Sequence, residues 1–535
     1  MNKIFSFVLA ALACLGTLAS AQTPAEAPVI TIIHTNDTHS QIDPGKDRSG
    51  ELKGGATKRA AMLEYFRKNE DPQLLYFDCG DIVQGSPYFN IFKGELEVIC
   101  MNQQQLIAST LGNHEFDNGL EALDKILSKA DFPLVCCNYH CENTPIASRI
   151  VPHMILQNHD VKIGVTGASV SPEGLIFAKY WEGITFEDPI TAVNREAAIL
   201  RQEGCDLVIV LSHLGYQATP TPGHAAVYDS DLAKASCDID LILGGHTHTN
   251  IERGVYIENQ QGKRILITQT GGKMAPMGFV QVTMKRGSDY PGCRYSVDSI
   301  VCRKLHEADY DLNGLGQQME ECIAPYRDQL SAQMNERLCF APSTLTRGRT
   351  QSTLGNFTAD AYRLIGEKLT GKKIDISIMN NGGLRSDLAA GDVSIGTMYS
   401  IFPFENSIVV LDLKGSDLEQ LIQSNAARKL DCWSGTQITL EMDGDRCIAS
   451  KILVNGLPID PNRLYSICTI DYLAEGNSGM SALTRAENII RTGILIRDAM
   501  IDYVRELEAQ GKQVTAEIDN RVIDLTKEKK EEPRN

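Results

Sequence analysis

No stretch of this 535-residue sequence stays apolar for long enough to cross a bilayer. The nearest approach, Ile4 to Leu18, follows Lys3 and ends at Ala19-Ser20-Ala21. A short positive region, a short apolar run and a small-residue cleavage site predict a secretory leader over residues 1–21 and a periplasmic or secreted mature chain. Cys14 raises a lipoprotein alternative, although Ala11 stands where such a site favours Leu. Cysteine is scarce, with 15 in the whole chain, which excludes a small disulfide scaffold. Cys136, Cys137 and Cys141, with His140 among them, fit no zinc spacing, and the apolar "FPLVCC" predicts structural thiols in a buried strand. Positive charge is also short. Against 68 Asp and Glu stand 51 Lys and Arg, a net charge of −17 that opposes a nucleic-acid polymer as partner. A small anionic substrate would need local cations to hold it.

What the chain does have is length and a recurrent pattern. Its size exceeds one hydrophobic core, so two or three domains are expected. In the first half, five apolar runs each end in polar residues: "VITIIHTNDTHS", "LLYFDCGDIVQG", "LIASTLGNHEFDNG", "DLVIVLSHLG" and "DLILGGHTHT". Helical stretches such as "KRAAMLEYFRK" lie between them, which predicts an α/β sheet. Ligands of such sheets bind beyond the carboxyl ends of the strands, so five turns deliver Asp, Asn and His to one region. The candidates are Asp37, His39, Asp81, Asn113, His213, His246 and His248. Carboxylates and imidazoles without thiolate suit Zn, Mn, Fe or Co. Seven donors exceed one tetrahedral site and suit two divalent ions sharing a carboxylate.

The order D-x-H, G-D, G-N-H-[ED], lone His and G-H-x-H resembles the calcineurin-like metallophosphoesterases. Over about Val29 to Leu525 the chain is similar to the two-domain 5′-nucleotidase family, which includes periplasmic UDP-sugar hydrolases. The resemblance implies a four-layer α/β sandwich over 29–313. A helical connector over 314–340 would join it to a smaller α/β substrate-binding domain over 341–525, with a charged tail over 526–535. It also implies that Asp37, His39, Asp81 and His248 hold one ion, and that Asp81, Asn113, His213 and His246 hold the other. His114 matches the family's catalytic His and Asp117 the carboxylate that orients it. The spacing suits this, with Asp117 expected at the start of a helix, reaching back to the imidazole. A carboxylate partner raises the pKa of a His and fixes its tautomer.

In the second half "NNGGLR" matches a substrate-contacting segment of the family, which points to Asn380 and Arg385. "PFEN" matches a segment with a base-stacking aromatic, here Phe404, and Asn406 near the base. "DYLAEGNSG" supplies the second aromatic, Tyr472. Two aromatic faces on a base are worth about 1–3 kcal/mol each. Either Arg347 or Arg349 of "RGRTQSTLGN" matches the phosphate-binding Arg, and Arg349 is favoured. Where the family usually carries G-G-D-G, this chain has Gly476-Asn477-Ser478-Gly479, so Ser478 stands where an Asp would bind the ribose hydroxyls. The resemblance implies hydrolysis of nucleoside 5′-monophosphates, with possible wider activity on UDP-sugars or other nucleotides. The alternatives are a cyclic-nucleotide or sugar-phosphate phosphoesterase on the same scaffold, and a non-catalytic nucleotide clamp.

Overall fold

The computed structural model describes residues 27–526 apart from 47–49, 174, 177, 218–226, 274–275, 289 and 405. The expected leader, Cys14 and nearly all of the charged tail lie outside the described residues. Two sheets dominate the first half. One runs in the order Tyr295–Leu305, Met277–Arg286, Val29–Thr35, Leu75–Asp78. The other has six strands, in the order Val255–Glu258, Arg264–Gln269, Leu241–Gly244, Leu207–His213, Val161–Ser169, His153–Asn158. Its four central strands are parallel and its two edges antiparallel.

Strand periodicity explains why both sheets are covered on both faces. In Leu207–His213, Leu207, Ile209 and Leu211 join a core with Ile30, Ile32, Leu75 and Phe77 of the other sheet. Val208 and Val210 point the opposite way, onto Ala192, Val193, Leu200 and Leu232. Those residues belong to the helices Pro189–Gln202 and Asp229–Ala235. On the far side, Ile33 and Tyr76 meet Met62, Leu63 and Phe66 of the helix Ala56–Asn69. Period-two alternation within continuous apolar runs thus builds helix, sheet, sheet and helix layers. The fold is the mixed α/β, two-part architecture that the sequence pattern predicts.

The helix Gln317–Met334 follows, with Pro325 inside it. Its Met319 and Ile323 pack with Ile42, Tyr88, Leu96 and Cys100 of the first half. Arg327 ties it down at 2.8 Å from Asp43. The second half has its own core, around a five-stranded sheet ordered Cys432–Ser434, Ile376–Met379, Leu464–Ile470, Ser407–Lys414, Glu487–Leu495. The helix Thr353–Thr370 packs on it through Leu354, Phe357, Ala361, Tyr362 and Ile365, the three- and four-residue spacing legible in the sequence. Ser352 caps its first turn by accepting the Gly355 N–H, and Gly371 closes it in the left-handed region.

All fourteen described cysteines are unpaired, nine of them buried and five half-buried. Cys136, Cys137 and Cys141 are buried as expected, but the strand Leu134–Val135 ends before them, and His140 turns away to Glu187 at 2.9 Å.

Candidate metal and active site

The structure brings all seven sequence-derived ligands to the carboxyl ends of the strands. The third of the five runs differs from expectation: Ala108 and Ser109 make only single bridges to Phe77 and Leu134, with no named strand. Its turn still reaches the site. The donor atoms of Asp37, His39 and His248 form one cluster, and those of Asp81, His213 and His246 another. In the first, His248 Nε2 lies 3.1 Å from Asp37 Oδ1 and 2.9 Å from His39 Nε2. In the second, His213 Nε2 lies 3.1 Å from Asp81 Oδ2 and His246 Nδ1 lies 3.0 Å from Asn113 Oδ1. The Asp81 carboxylate is also 4.0 Å from His39 Nε2, so it stands between the two clusters.

The donors fit divalent cations. His213 Nδ1 is held 2.7 Å from the carbonyl of Cys79, which orients the ring and aims Nε2 at Asp81. His39 Nδ1 is buried with no hydrogen-bond partner among the described residues. Burial lowers the pKa of His39 and of His246 to about 4, so both offer lone pairs at neutral pH. Burial opposes a charge on His213 too, but Asp81 outweighs it and raises the pKa to about 10. Burial likewise works against ionising Asp81, yet His213, His114 and His39 hold its carboxyl well below the ordinary range. A proton on His213 and a cation beside Asp81 compete for the same position.

Backbone conformation shows how tightly these turns are specified. Asp37, His39, Asp81, His246 and His248 have φ of 50, 45, 56, 74 and 50°, a region that non-glycine residues rarely enter. The turns brace one another: Asp37 N donates to Gly80 O and His39 N to Asp81 O, each at 3.0 Å. Gly112 is required because a Cβ there would collide with the Asp81 carboxylate. Two organising residues were given no role by sequence reasoning. Glu115, the acid of "GNHE", accepts from the backbone N–H of Asp81, Ile82 and Gly112 at 3.0, 2.9 and 2.6 Å. Asn36 donates to Gly271 O and accepts from Thr270 N, joining the first turn to the last. The acid in the G-N-H-[ED] motif was a signal for Glu115; Asn36 left none beyond its place before Asp37.

His114 lies beside the clusters and its Nδ1 is 2.9 Å from Asp117 Oδ2. Asp117 does not begin a helix. It closes the 3-10 turn His114–Phe116, and the α-helix starts at Leu120, because Gly119 at φ 82° breaks the chain first. The reach across three residues survives, since one 3-10 turn returns the chain over the imidazole. Burial lowers the His114 pKa, but Asp117 and Asp81 outweigh it and raise it to about 9. A cleft of about 360 Å³ opens here, lined by His114, Asp117, Lys93 and Tyr180 and, from the second half, by Ser407, Asp471 and Asp498.

None of the second-half candidates lines this cleft. Phe404 and Tyr472 are 46% and 40% exposed, unusual for rings that could be buried. The Arg385 guanidinium stands 5.7 Å from the Phe404 ring centre. Asn406 donates to Asp471 at 3.0 Å, and Ser478 Oγ is 3.5 Å from the Tyr472 hydroxyl. Asn380 Oδ1 is buried without a partner among the described residues. Arg347 is committed to Asp387 at 3.2 Å and to the Leu384 carbonyl at 3.4 Å. Arg349 is exposed, with no ion pair among the described residues.

Comparison with known proteins matches the two halves separately. The calcineurin-like phosphoesterase family covers residues 30–250, and the 5′-nucleotidase C-terminal domain covers residues 332–485. The chain is 25% identical to the protein UshA of Yersinia enterocolitica, over 91% of this chain and 94% of that one. It is 24% identical to a snake venom 5′-nucleotidase of Crotalus adamanteus, over 89% and 86%. Among solved structures, a 5′-nucleotidase precursor from Thermus thermophilus superposes with a TM-score of 0.62 at 25% identity, covering 94% of this chain and all 100% of that one. With both halves matched in that order, the chain belongs to the two-domain 5′-nucleotidase family, a calcineurin-like phosphoesterase domain followed by a 5′-nucleotidase C-terminal domain.

Proposed function

We propose that this chain removes phosphate from nucleoside 5′-monophosphates, with UDP-sugars or other nucleotides as further substrates. Asp37, His39, Asp81 and His248 hold one divalent ion, and Asp81, Asn113, His213 and His246 a second. The observation that carries this reading is the Asp81 carboxylate, 3.1 Å from His213 and 4.0 Å from His39, at the seam of two ligand clusters. The donor set suits Zn, Mn or Co. Ions held there would supply Lewis acidity toward phosphoryl oxygens and a water of lowered pKa for in-line attack.

The remaining work falls to the protein's own side chains. Asp117 keeps the His114 ring charged and oriented, and the imidazolium stabilises charge developing on the phosphoryl group. Arg349, free of the ion pair that occupies Arg347, holds phosphate. Phe404 and Tyr472 stack on the base, Asn380, Arg385 and Asn406 contact the substrate, and Ser478 faces the sugar. Residues 29–313, 314–340 and 341–525 act as catalytic domain, connector and substrate-binding domain. The leader-like residues 1–21 support a periplasmic or secreted location, and no described helix is long and apolar enough to cross a membrane.

The test is hydrolysis of AMP, UDP-glucose and 2′,3′-cyclic AMP by protein loaded with Zn, Mn or Co, with inorganic phosphate measured for AMP and the nucleotide products of the other two separated by chromatography. AMP should be hydrolysed, and Asp81→Ala should lose both ions by elemental analysis together with turnover. Two ions per chain retained in that variant would remove Asp81 as the shared ligand. Tight AMP binding without phosphate release would make the chain a binding protein.

A further inference from the structure

We propose that Arg428 and the loop 476–479 form a subsite for a second anionic group on the ribose, so that the enzyme accepts nucleoside 5′-phosphates bearing a phosphate on the 2′ or 3′ oxygen. The subsite exists only if the ribose lies at Ser478, as proposed above. Arg428 follows the helix Gly415–Ala426 and its side chain is exposed. Its guanidinium reaches onto the loop and fills the space that a Cβ on Gly479 would need. Gly479 is favoured by its backbone angle, φ 76°, and its missing side chain leaves room for the arginine laid against it. This places a cation one residue from Ser478, whose Oγ is 3.5 Å from the Tyr472 hydroxyl.

The carboxylates of this segment are engaged elsewhere. Asp471 accepts from Asn406 Nδ2, from Ser407 N and Oγ, and from Tyr472 N. Glu475 faces Arg491 at 3.8 Å. The neighbouring Arg485 is paired with Asp417 at 2.8 Å, whereas no ion pair involves Arg428 among the described residues. The sugar-facing edge thus presents one guanidinium and two neutral hydroxyls. A carboxylate there would hold a free diol and repel a phosphate. A guanidinium does the reverse, since its fork of N–H donors matches phosphate oxygens. Dinucleotide-binding folds make the same exchange, with an acid for a free 2′-hydroxyl and an Arg for a 2′-phosphate. In the reaction, water adds to the 5′ phosphorus and the P–O5′ bond breaks. O5′ leaves with a proton, giving inorganic phosphate and a nucleoside 2′- or 3′-phosphate whose second ester is intact.

The experiment measures kcat/KM for AMP, adenosine 2′,5′-bisphosphate and adenosine 3′,5′-bisphosphate in the metal-loaded full chain, with products separated by chromatography. Wild type should release the 5′-phosphate of at least one bisphosphate about as efficiently as that of AMP. Arg428→Gln should lower the bisphosphate-to-AMP ratio roughly ten-fold, the worth of one charge-assisted hydrogen bond. Arg428→Lys should restore part of it. A ratio unchanged by Arg428→Gln for both bisphosphates overturns the subsite, as does rejection of both by wild type while AMP is hydrolysed. Failure on AMP itself would instead overturn the 5′-nucleotidase reading on which the subsite depends.

Discussion

In the proposed reaction His114 and Ser478 take two ends of the same job, one on the group every substrate shares and the other on the part that distinguishes substrates. His114 is not among the seven proposed ligands, and its ring is committed to Asp117 at 2.9 Å. His114→Ala should lower turnover by roughly two to four orders of magnitude, the range for a positioned charge-stabilising group. Metal content should stay near that of wild type; a loss of metal would make His114 a ligand. At Ser478 only neutral hydrogen bonds are on offer to a ribose hydroxyl, weaker than those a carboxylate makes by about 1 kcal/mol. Wild type should therefore discriminate weakly between AMP and dAMP. Ser478→Asp should raise that ratio of kcat/KM several-fold, with p-nitrophenyl phosphate as the reference that has no sugar. Equal shifts on all three substrates would show that position 478 does not read the sugar.

Among the elements, the strands were legible because their runs are apolar on both faces and end in residues with a chemical purpose. Val29–Thr35 and Leu207–His213 fall where their β-branched runs lie, and the polar residue after each run marks the end that faces the site. What the sequence hid is backbone. The run before Asn113 has the texture of a strand but pairs by single bridges only, at Ala108 and Ser109. The start of the helix after Asp117 was hidden too, because Gly119 at φ 82° delays it to Leu120. Glu115 was legible as an acid but not as the clamp on three amides, a role that depends on two loops meeting across more than thirty residues. The same closeness makes a prediction about Gly112. A Cβ there would press on Asp81, so Gly112→Ala should weaken metal binding by roughly 10–100-fold, the scale of effects on groups that orient ligands. Metal titration followed by calorimetry checks this, and wild-type affinity would show that the turn yields without disturbing Asp81.

At the scale of the whole molecule, two cores are built from one chain and none of the described sulfurs is used to hold either together. Burial raises the thiols of Cys137, Cys141, Cys432 and Cys468 to about 12, far from the thiolate that exchanges with disulfides. Native protein should therefore react slowly with a thiol reagent at pH 8, the five half-buried cysteines first, whereas denatured protein should label at all described positions within seconds. Rapid stoichiometric labelling of the native form would contradict the burial. The consequence reaches beyond reactivity. In an oxidising medium the nine buried thiols are shielded while the chain is folded, but each opening event releases thiols with no native partner to find. Random cross-links then trap the open form, so loss of structure acts as a ratchet, and the lifetime of the protein in such a medium is set by how rarely it opens and not by how well it could refold.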